Sequence, residues 1–256
     1  MGGEYNMALI TVEQRDRVAV LRLSHPPVNA LSFSLLQELD RALTEAIENH
    51  TVRALVITGD GMFFAAGADI PSFLQMGAGV KDFLAYGVAL FNRIEQCPKP
   101  TIAAIGGPAL GGGNELAMAT DMRIASDAAR FGQPEVNLGI IPGWGGTVRM
   151  PKLIGRSQAA RLLLTGEAID AQEALRIGLI HEVVPAHLLL DYAVNQADRL
   201  AALPPLALQA IKKLLVDPGL GQAAETDAMS DLMASSDAAE GIMAFLQKRR
   251  PEFRGQ

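Results

Sequence analysis

Three short runs of aliphatic and β-branched residues, RVAVLRL (17–23), RALVITG (53–59) and TIAAIGG (101–107), are separated by stretches long enough for a helix. That alternation constrains the fold more than any other feature. Each run has the composition of a buried strand and ends at a turn signal, the first of them running into SHPPVNA. Between the first two, Ser34 and Gln37 form a capping-box pattern, and Leu36, Leu39, Leu43 and Ile47 recur at helical spacing. KDFLAYGVALFNRIEQC (81–97) reads as the next helix. Strands joined through helices need crossover connections, so the spacing predicts a mostly parallel sheet in an α/β fold. Past residue 150 the pattern turns helical: SQAARLLLTG reads as a Ser-capped helix, and Asp170 with Glu173 makes a second capping box. LIHEVVP interrupts the helical pattern before it resumes to the end. The Leu and Ala stripes there are those of a packing surface.

With 256 residues, 49% hydrophobic and 20% charged, the chain has apolar material for one large α/β domain with a helical extension. A net charge of -6 offers no basic footprint for nucleic acid or anionic membrane. Lys248-Arg249-Arg250 is the local exception, either a solvated helix end or a contact for a ligand phosphate. Cys97 is the single cysteine, which excludes an intrachain disulfide and a multi-cysteine metal site and suits a reducing compartment. The opening MGGEYNMALITVEQRD lacks the basic and apolar regions of a secretory leader. Position 6 is Asn where a myristoylation motif carries Ser or Thr, and no later run is long enough to span a bilayer. A cytoplasmic protein is expected.

GPALGGGNELAM (107–118) places Gly111, Gly112 and Gly113 between a strand and a helix, with Glu115 just behind. Such a turn is either a tight structural corner or a place where bare N–H groups meet a ligand. Asn114-Glu115 stands where a phosphate loop has Lys-Ser or Lys-Thr, the G-x-G-x-x-G spacing is met only loosely, and a carboxylate repels phosphate. A polarised oxygen is the better ligand. FFAAGADI (63–70) follows another strand with the same small residues, so two loops could each supply one N–H at a shared sheet edge. Glu115 has a candidate partner in Glu135, within FGQPEVNLGIIPGWGGT (131–147), where Pro, Gly and the only Trp suggest a rigid pocket loop. Two carboxylates near one water can divide the roles of base and acid if their environments separate their pKa values.

PPVNALS, FFAAGADI, KPTIAAIGGPALGGGNELAMATDMRIAS, FGQPEVNLGIIPGWGGT and EGIMAFLQKRRPEF, in that order, resemble the successive blocks of the enoyl-CoA hydratase/isomerase (crotonase) superfamily from about residue 9 onward. The resemblance implies an α/β fold built as a spiral of ββα repeats (1–195), with a helical C-terminal trimerisation region (196–256). The assembly it implies is a homotrimer or a hexamer formed as a dimer of trimers. By the same resemblance, the N–H groups of Ala68 and Gly112 form an oxyanion hole for a thioester carbonyl. Glu115 orients and activates water for attack at C3, and Glu135 supplies a proton to C2. Coenzyme A enters as part of the substrate, with no other cofactor and no metal. Its contacts carry over to Val28, Ala30, Ala66, Ala68, Asp69 and Ile70, with Gly143 and Trp144 in the pocket loop. Phe245 and Lys248 match positions that approach CoA bound to a neighbouring subunit.

Two positions depart from the family pattern. Asn114 stands where Cys or another small residue is common, and Trp144 where Ala or Phe is commoner. The indole either shortens the acyl pocket or packs beneath its loop. Retention of both glutamates favours a lyase that adds water across the 2,3 double bond of 2-trans-enoyl-CoA to give 3-hydroxyacyl-CoA, as in fatty-acid β-oxidation. The alternatives are an isomerase moving a double bond between C3 and C2, with Glu135 as shuttle, and a non-catalytic acyl-CoA-binding or RNA-binding oligomer. The acidic balance disfavours RNA.

Overall fold

In a computed structural model, which describes residues 8–256 apart from the Leu74 side chain, the three aliphatic runs become neighbouring strands. The opening residues on which the leader and acylation readings bear lie outside the described residues. The chain begins with β1 (Ile10–Arg15), β2 (Val18–Leu23), α1 (Phe33–Glu48), β3 (Ala54–Gly59), α2 (Ile70–Met76) and α3 (Val80–Glu95). β4 (Thr101–Ile105), β5 (Ala109–Leu110), α4 (Gly112–Met118), β6 (Met122–Ser126) and β7 (Arg130–Gly132) follow. Then come α5 (Gly146–Thr165), β8 (Ala168–Asp170), α6 (Ala171–Arg176) and β9 (Glu182–Val184). The chain closes with α7 (Leu189–Ala201), α8 (Pro205–Val216), α9 (Gly221–Met233) and α10 (Ser236–Gln247).

A six-stranded sheet has the order β1-β2-β3-β4-β6-β9, and Leu21, Ile57 and Ala103 face one another across parallel neighbours. The expectation of a parallel sheet holds for these central strands and needs two corrections. Asp16, at a left-handed φ of 49°, turns the chain so tightly that β1 returns antiparallel to β2. A separate three-stranded sheet, β5-β7-β8, mixes one parallel and one antiparallel pairing. β1, β5, β7 and β8 carry too few aliphatic residues to announce themselves.

Period-two alternation divides β2 between two cores. Ala19, Leu21 and Leu23 join Leu35, Leu39, Ile57, Phe91 and Ile105 under α1 and α3, whereas Val18 and Val20 join Val56, Ile102 and Ile124 on the opposite face. α7 covers that second face with Leu189, Ala193, Ala197 and Ala201, whose four-residue spacing presents one small-residue stripe to the sheet. The helix runs unbroken through residues 195 and 196, where the boundary between core and tail was expected.

The helix starts differ in part from the sequence expectations. Ser32 rather than Ser34 caps α1, its Oγ accepting from Leu35 N at 3.2 Å, because Ser32 keeps an extended backbone while Ser34 is already an exposed helical residue. Asp170 caps α6 as expected, with Glu173 N donating to Oδ1 at 2.8 Å. The segment around Ser157 is the second half of a helix that starts at Gly146 and breaks at Gly155 (φ 73°). Beyond α7, Ile211, Leu215, Met229, Met233, Phe245 and Leu246 leave apolar side chains exposed on α8–α10. Among the described residues no helix is long and apolar enough to cross a membrane.

Candidate active site

Two loops deliver bare backbone to one place. Asn29 shapes the first, its Nδ2 donating to the carbonyls of Asp60 and Phe63 at 2.9 Å each. Ala66 N donates to Val28 O (3.0 Å) and Leu31 N to Gly67 O (2.8 Å), which stitches the PPVNA segment to residues 66–68. The second loop leaves β5 at Gly111, whose φ of 51° and ψ of -125° suit glycine, and enters α4 at Gly112. A Cβ on Gly112 would lie 2.6 Å from Trp144 Cε3 and 3.4 Å from Ala68 N, and one on Gly113 would lie 2.7 Å from the Ala65 carbonyl carbon. Only glycine lets the two loops and the indole press together here. Neither the Ala68 nor the Gly112 N–H donates to a protein acceptor among the described residues, and both residues line the same cavity.

That cavity, of about 720 Å³, also takes in Glu115, Glu135, Ala66, Ile70, Gly143 and Trp144. Its remaining wall is largely apolar, with Phe73, Val80, Leu84, Ile140 and Ile141. Glu115 is 1% exposed, and its Oε1 accepts from Trp144 N at 2.8 Å and Gly146 N at 2.6 Å. Among the described residues no donor reaches Oε2. Burial pushes the Glu115 carboxyl up to about 7. The two backbone donors and Arg149 act in the opposite direction, and the neighbouring Glu135 adds to the rise.

Glu135 sits in a 3-10 turn (Pro134–Leu138), beside Gly111, where an added Cβ would fall 2.7 Å from its Oε1. Burial raises its pKa as well. Gln133 is fully buried behind it. With the amide oriented to satisfy its neighbours, Nε2 donates to both carboxylate oxygens at 3.1 Å and to Gly111 O at 3.3 Å. Sequence reasoning missed Gln133, although FGQPE places it two residues before Glu135. The geometry therefore offers one buried and one half-buried carboxylate, both with raised pKa values, facing one apolar space next to two unengaged N–H groups.

Trp144 packs beneath its loop, only 2% exposed, and also lines the cavity. It meets Phe83 and Phe91 edge-on at centroid distances of 5.3 and 5.5 Å, and a Cβ on Gly87 would lie 2.6 Å from its Cε2. Asn114 is fully buried with neither amide atom partnered among the described residues, and nothing in the structure accounts for an amide there. Val28 reaches the site region through its carbonyl, which accepts from Ala66 N, whereas the Ala30 carbonyl accepts from Ser32 N and meets His25 Nδ1; neither residue lines the cavity. Asp69 also stands outside the lining, its carboxylate accepting from Ser72 Oγ. Phe245, 82% exposed, and Lys248, the left-handed cap of α10, lie on the C-terminal helix outside this chain's cavity.

A family model described as enoyl-CoA hydratase/isomerase matches residues 13–256. The chain is 42% identical to the 2,3-dehydroadipyl-CoA hydratase of Escherichia coli (strain K12), over 98% of this chain and 100% of that protein. It is also 42% identical to the crotonyl-CoA hydratase of Syntrophomonas wolfei, over 95% and 97% of the two chains. The crystal structure of an enoyl-CoA hydratase from Bacillus anthracis superposes with a TM-score of 0.93 at 38% identity, covering 97% of this chain and 100% of that one.

Proposed function

The chain belongs to the enoyl-CoA hydratase/isomerase family and has its crotonase-like fold, and from that premise we propose that it is a hydro-lyase adding water reversibly across the 2,3 double bond of 2-trans-enoyl-CoA, as in fatty-acid β-oxidation. The observation that carries this assignment is the presence of Glu115 and Glu135 in one cavity with the unengaged N–H groups of Ala68 and Gly112. The thioester carbonyl accepts from those two N–H groups. As charge moves onto that oxygen each donor contributes about 3–4 kcal/mol of transition-state stabilisation. Ionised Glu115, anchored through Oε1, takes a proton at Oε2 from the water whose oxygen bonds to C3. The π electrons of the 2,3 bond shift toward the carbonyl, and protonated Glu135 delivers its proton to C2 as the enolate collapses. The reactive form of the pair carries one proton, on Glu135; turnover moves it to Glu115, the group with the more strongly raised pKa, and exchange through solvent returns the pair to the reactive form.

Coenzyme A is then part of the substrate, and the two carboxylates with the two N–H groups supply the chemistry without another cofactor. Its adenine and pantetheine would run along Val28, Ala30, Ala66, Asp69 and Ile70. Phe245 and Lys248 would meet the CoA of a neighbouring copy in a homotrimer or a dimer of trimers. The exposed apolar side chains of α8–α10 support residues 196–256 as the region that pairs copies. A cytoplasmic location is in keeping with the low cysteine content.

The test is incubation with crotonyl-CoA and a longer trans-2-enoyl-CoA, following loss of the conjugated thioester and identifying the product. The expected product is 3-hydroxyacyl-CoA, with turnover lowered by orders of magnitude in Glu115→Gln and Glu135→Gln while CoA binding persists. Full activity in either variant, or 3-enoyl-CoA turnover without incorporation of water, would overturn the assignment.

A further inference from the structure

Behind Glu115 stands a layer that the proposed reaction does not touch. Arg149, on α5, is 5% exposed and has every arm of its guanidinium engaged. Nε donates to Glu95 Oε2 at 3.0 Å, Nη2 to Asn92 Oδ1 at 2.6 Å, and Nη1 to the Trp144 carbonyl at 2.8 Å. Nη2 also lies 2.8 Å from Glu95 Oε2. Glu95 and Asn92 belong to α3, so Arg149 ties the Trp144 loop to a helix of the core. The bond is permitted by Gly145, at φ 108°, where a Cβ would collide with the guanidinium and lie 3.2 Å from its Cζ. Arg149 N closes the turn on Gly145 O at 2.7 Å.

The carbonyl that Arg149 grips lies in the peptide between the two that serve Glu115. Trp144 N, one peptide before, and Gly146 N, one peptide after, both donate to Glu115 Oε1. Immobilising the middle plane fixes the angle between its neighbours. We propose that Arg149 is a positioning residue for the hydration: by clamping the Trp144 carbonyl against α3 it aims both N–H groups at Glu115 Oε1 and so leaves Oε2 directed at the water. This rests on the assignment of Glu115 as the water-activating group.

The clamp also acts through its charge. Glu115 is faced by Glu135 from the 3-10 turn, which raises its proton affinity, and by Arg149 from α5, which lowers it. Glu95 on α3 pairs with Arg149 and partly offsets that cation. Removing the charge at 149 therefore raises the Glu115 titration, and removing the charge at 95 lowers it. Lysine at 149 would restore the cation without the planar fork that reaches three acceptors.

The experiment compares Arg149→Gln, Arg149→Lys and Glu95→Gln with the parent enzyme, measuring kcat and KM for crotonyl-CoA across pH. Glu115 is titrated in parallel by infrared difference against Glu115→Gln. Arg149→Gln should lower kcat about tenfold to hundredfold, leave KM within a few-fold, and move the Glu115 step to higher pH. Arg149→Lys should return that step toward its parent position while kcat stays low. Glu95→Gln, which keeps an oxygen acceptor for the guanidinium, should move the step to lower pH. Parent-like kcat and titration in Arg149→Gln would overturn the clamp. If that variant does not fold, Glu95→Gln decides, and an unmoved or upward step there would overturn it equally. The infrared titration needs no turnover, so it judges Arg149 even if the parent protein fails to hydrate any enoyl-CoA, a failure that would count against the hydratase assignment instead.

Discussion

Glu115→Gln should leave the protein more stable than the parent at alkaline pH and no more stable at acid pH. The Glu115 carboxyl lies in the protein interior, and burial lifts its pKa from 4.5 up to about 7 against the pull of two backbone donors. Below pH 4.5 it is protonated in folded and unfolded chains alike, and burial carries no electrostatic cost. Between 4.5 and about 7 the unfolded chain releases a proton that the folded chain keeps. Above that range the folded chain must hold a buried charge. Stability referred to this group is therefore complete below pH 4.5 and lost as pH rises through about 7. At about 1.4 kcal/mol per pH decade the loss comes to about 3 kcal/mol. Glutamine keeps an oxygen to accept from Trp144 N and Gly146 N and places its amino group toward the cavity, so the variant escapes the loss. Urea midpoints at pH 5 and pH 8.5, at one fixed protein concentration because assembly contributes to stability, would show the gap opening with pH. In thermal melts it should reach about 6–12 °C. A gap that stays constant across this range, or that favours the parent at pH 8.5, would show instead that the buried charge is fully compensated.

Gly112→Ala should lower kcat about a hundredfold or more, because the new methyl meets the Trp144 ring and shifts one of the two N–H groups proposed to bind the thioester carbonyl; a steady-state assay on crotonyl-CoA checks it, with the lost stability expected at about 1–3 kcal/mol in denaturation. Trp144→Phe should retain hydration, since Glu115 is served by the backbone of residue 144, and should raise kcat/KM for an eight-carbon enoyl-CoA relative to crotonyl-CoA. Trp144→Ala removes the partner of Phe83 and Phe91 and should cost about 3–5 kcal/mol on unfolding.

What could be read from the sequence shares a physical character. Leu21, Ile57 and Ala103 announce buried parallel strands because both faces of those strands are covered and their composition has no other use. Gly112, Glu115 and Glu135 stood out as candidates because close approach and the proposed acid–base work leave few residue types that serve, and the structure brings all three to one cavity. Ser34 misled because Ser32, two residues earlier, caps equally well, and the choice falls to where the chain leaves Leu31 after pairing with Gly67. β7 and β8 are stretches of three residues whose pairing depends on the rest of the fold. The partners of Arg149, Asn92 and Glu95, lie more than fifty positions away in the chain, and no local pattern connects them. Phe245 and Lys248 were proposed only as family positions, and within one chain they lie outside the cavity.

Residue 144 serves the protein through two separable parts. Its backbone N–H holds Glu115 and its carbonyl is held by Arg149, while its ring alone meets Gly112 and the apolar cavity. On the proposed assignment, acyl selectivity can therefore drift, in evolution or by design, through exchange of one side chain without resetting the carboxylates that serve as acid and base. Substrate diversification at this position is constrained by the packing of Phe83 and Phe91 rather than by the chemistry of water addition.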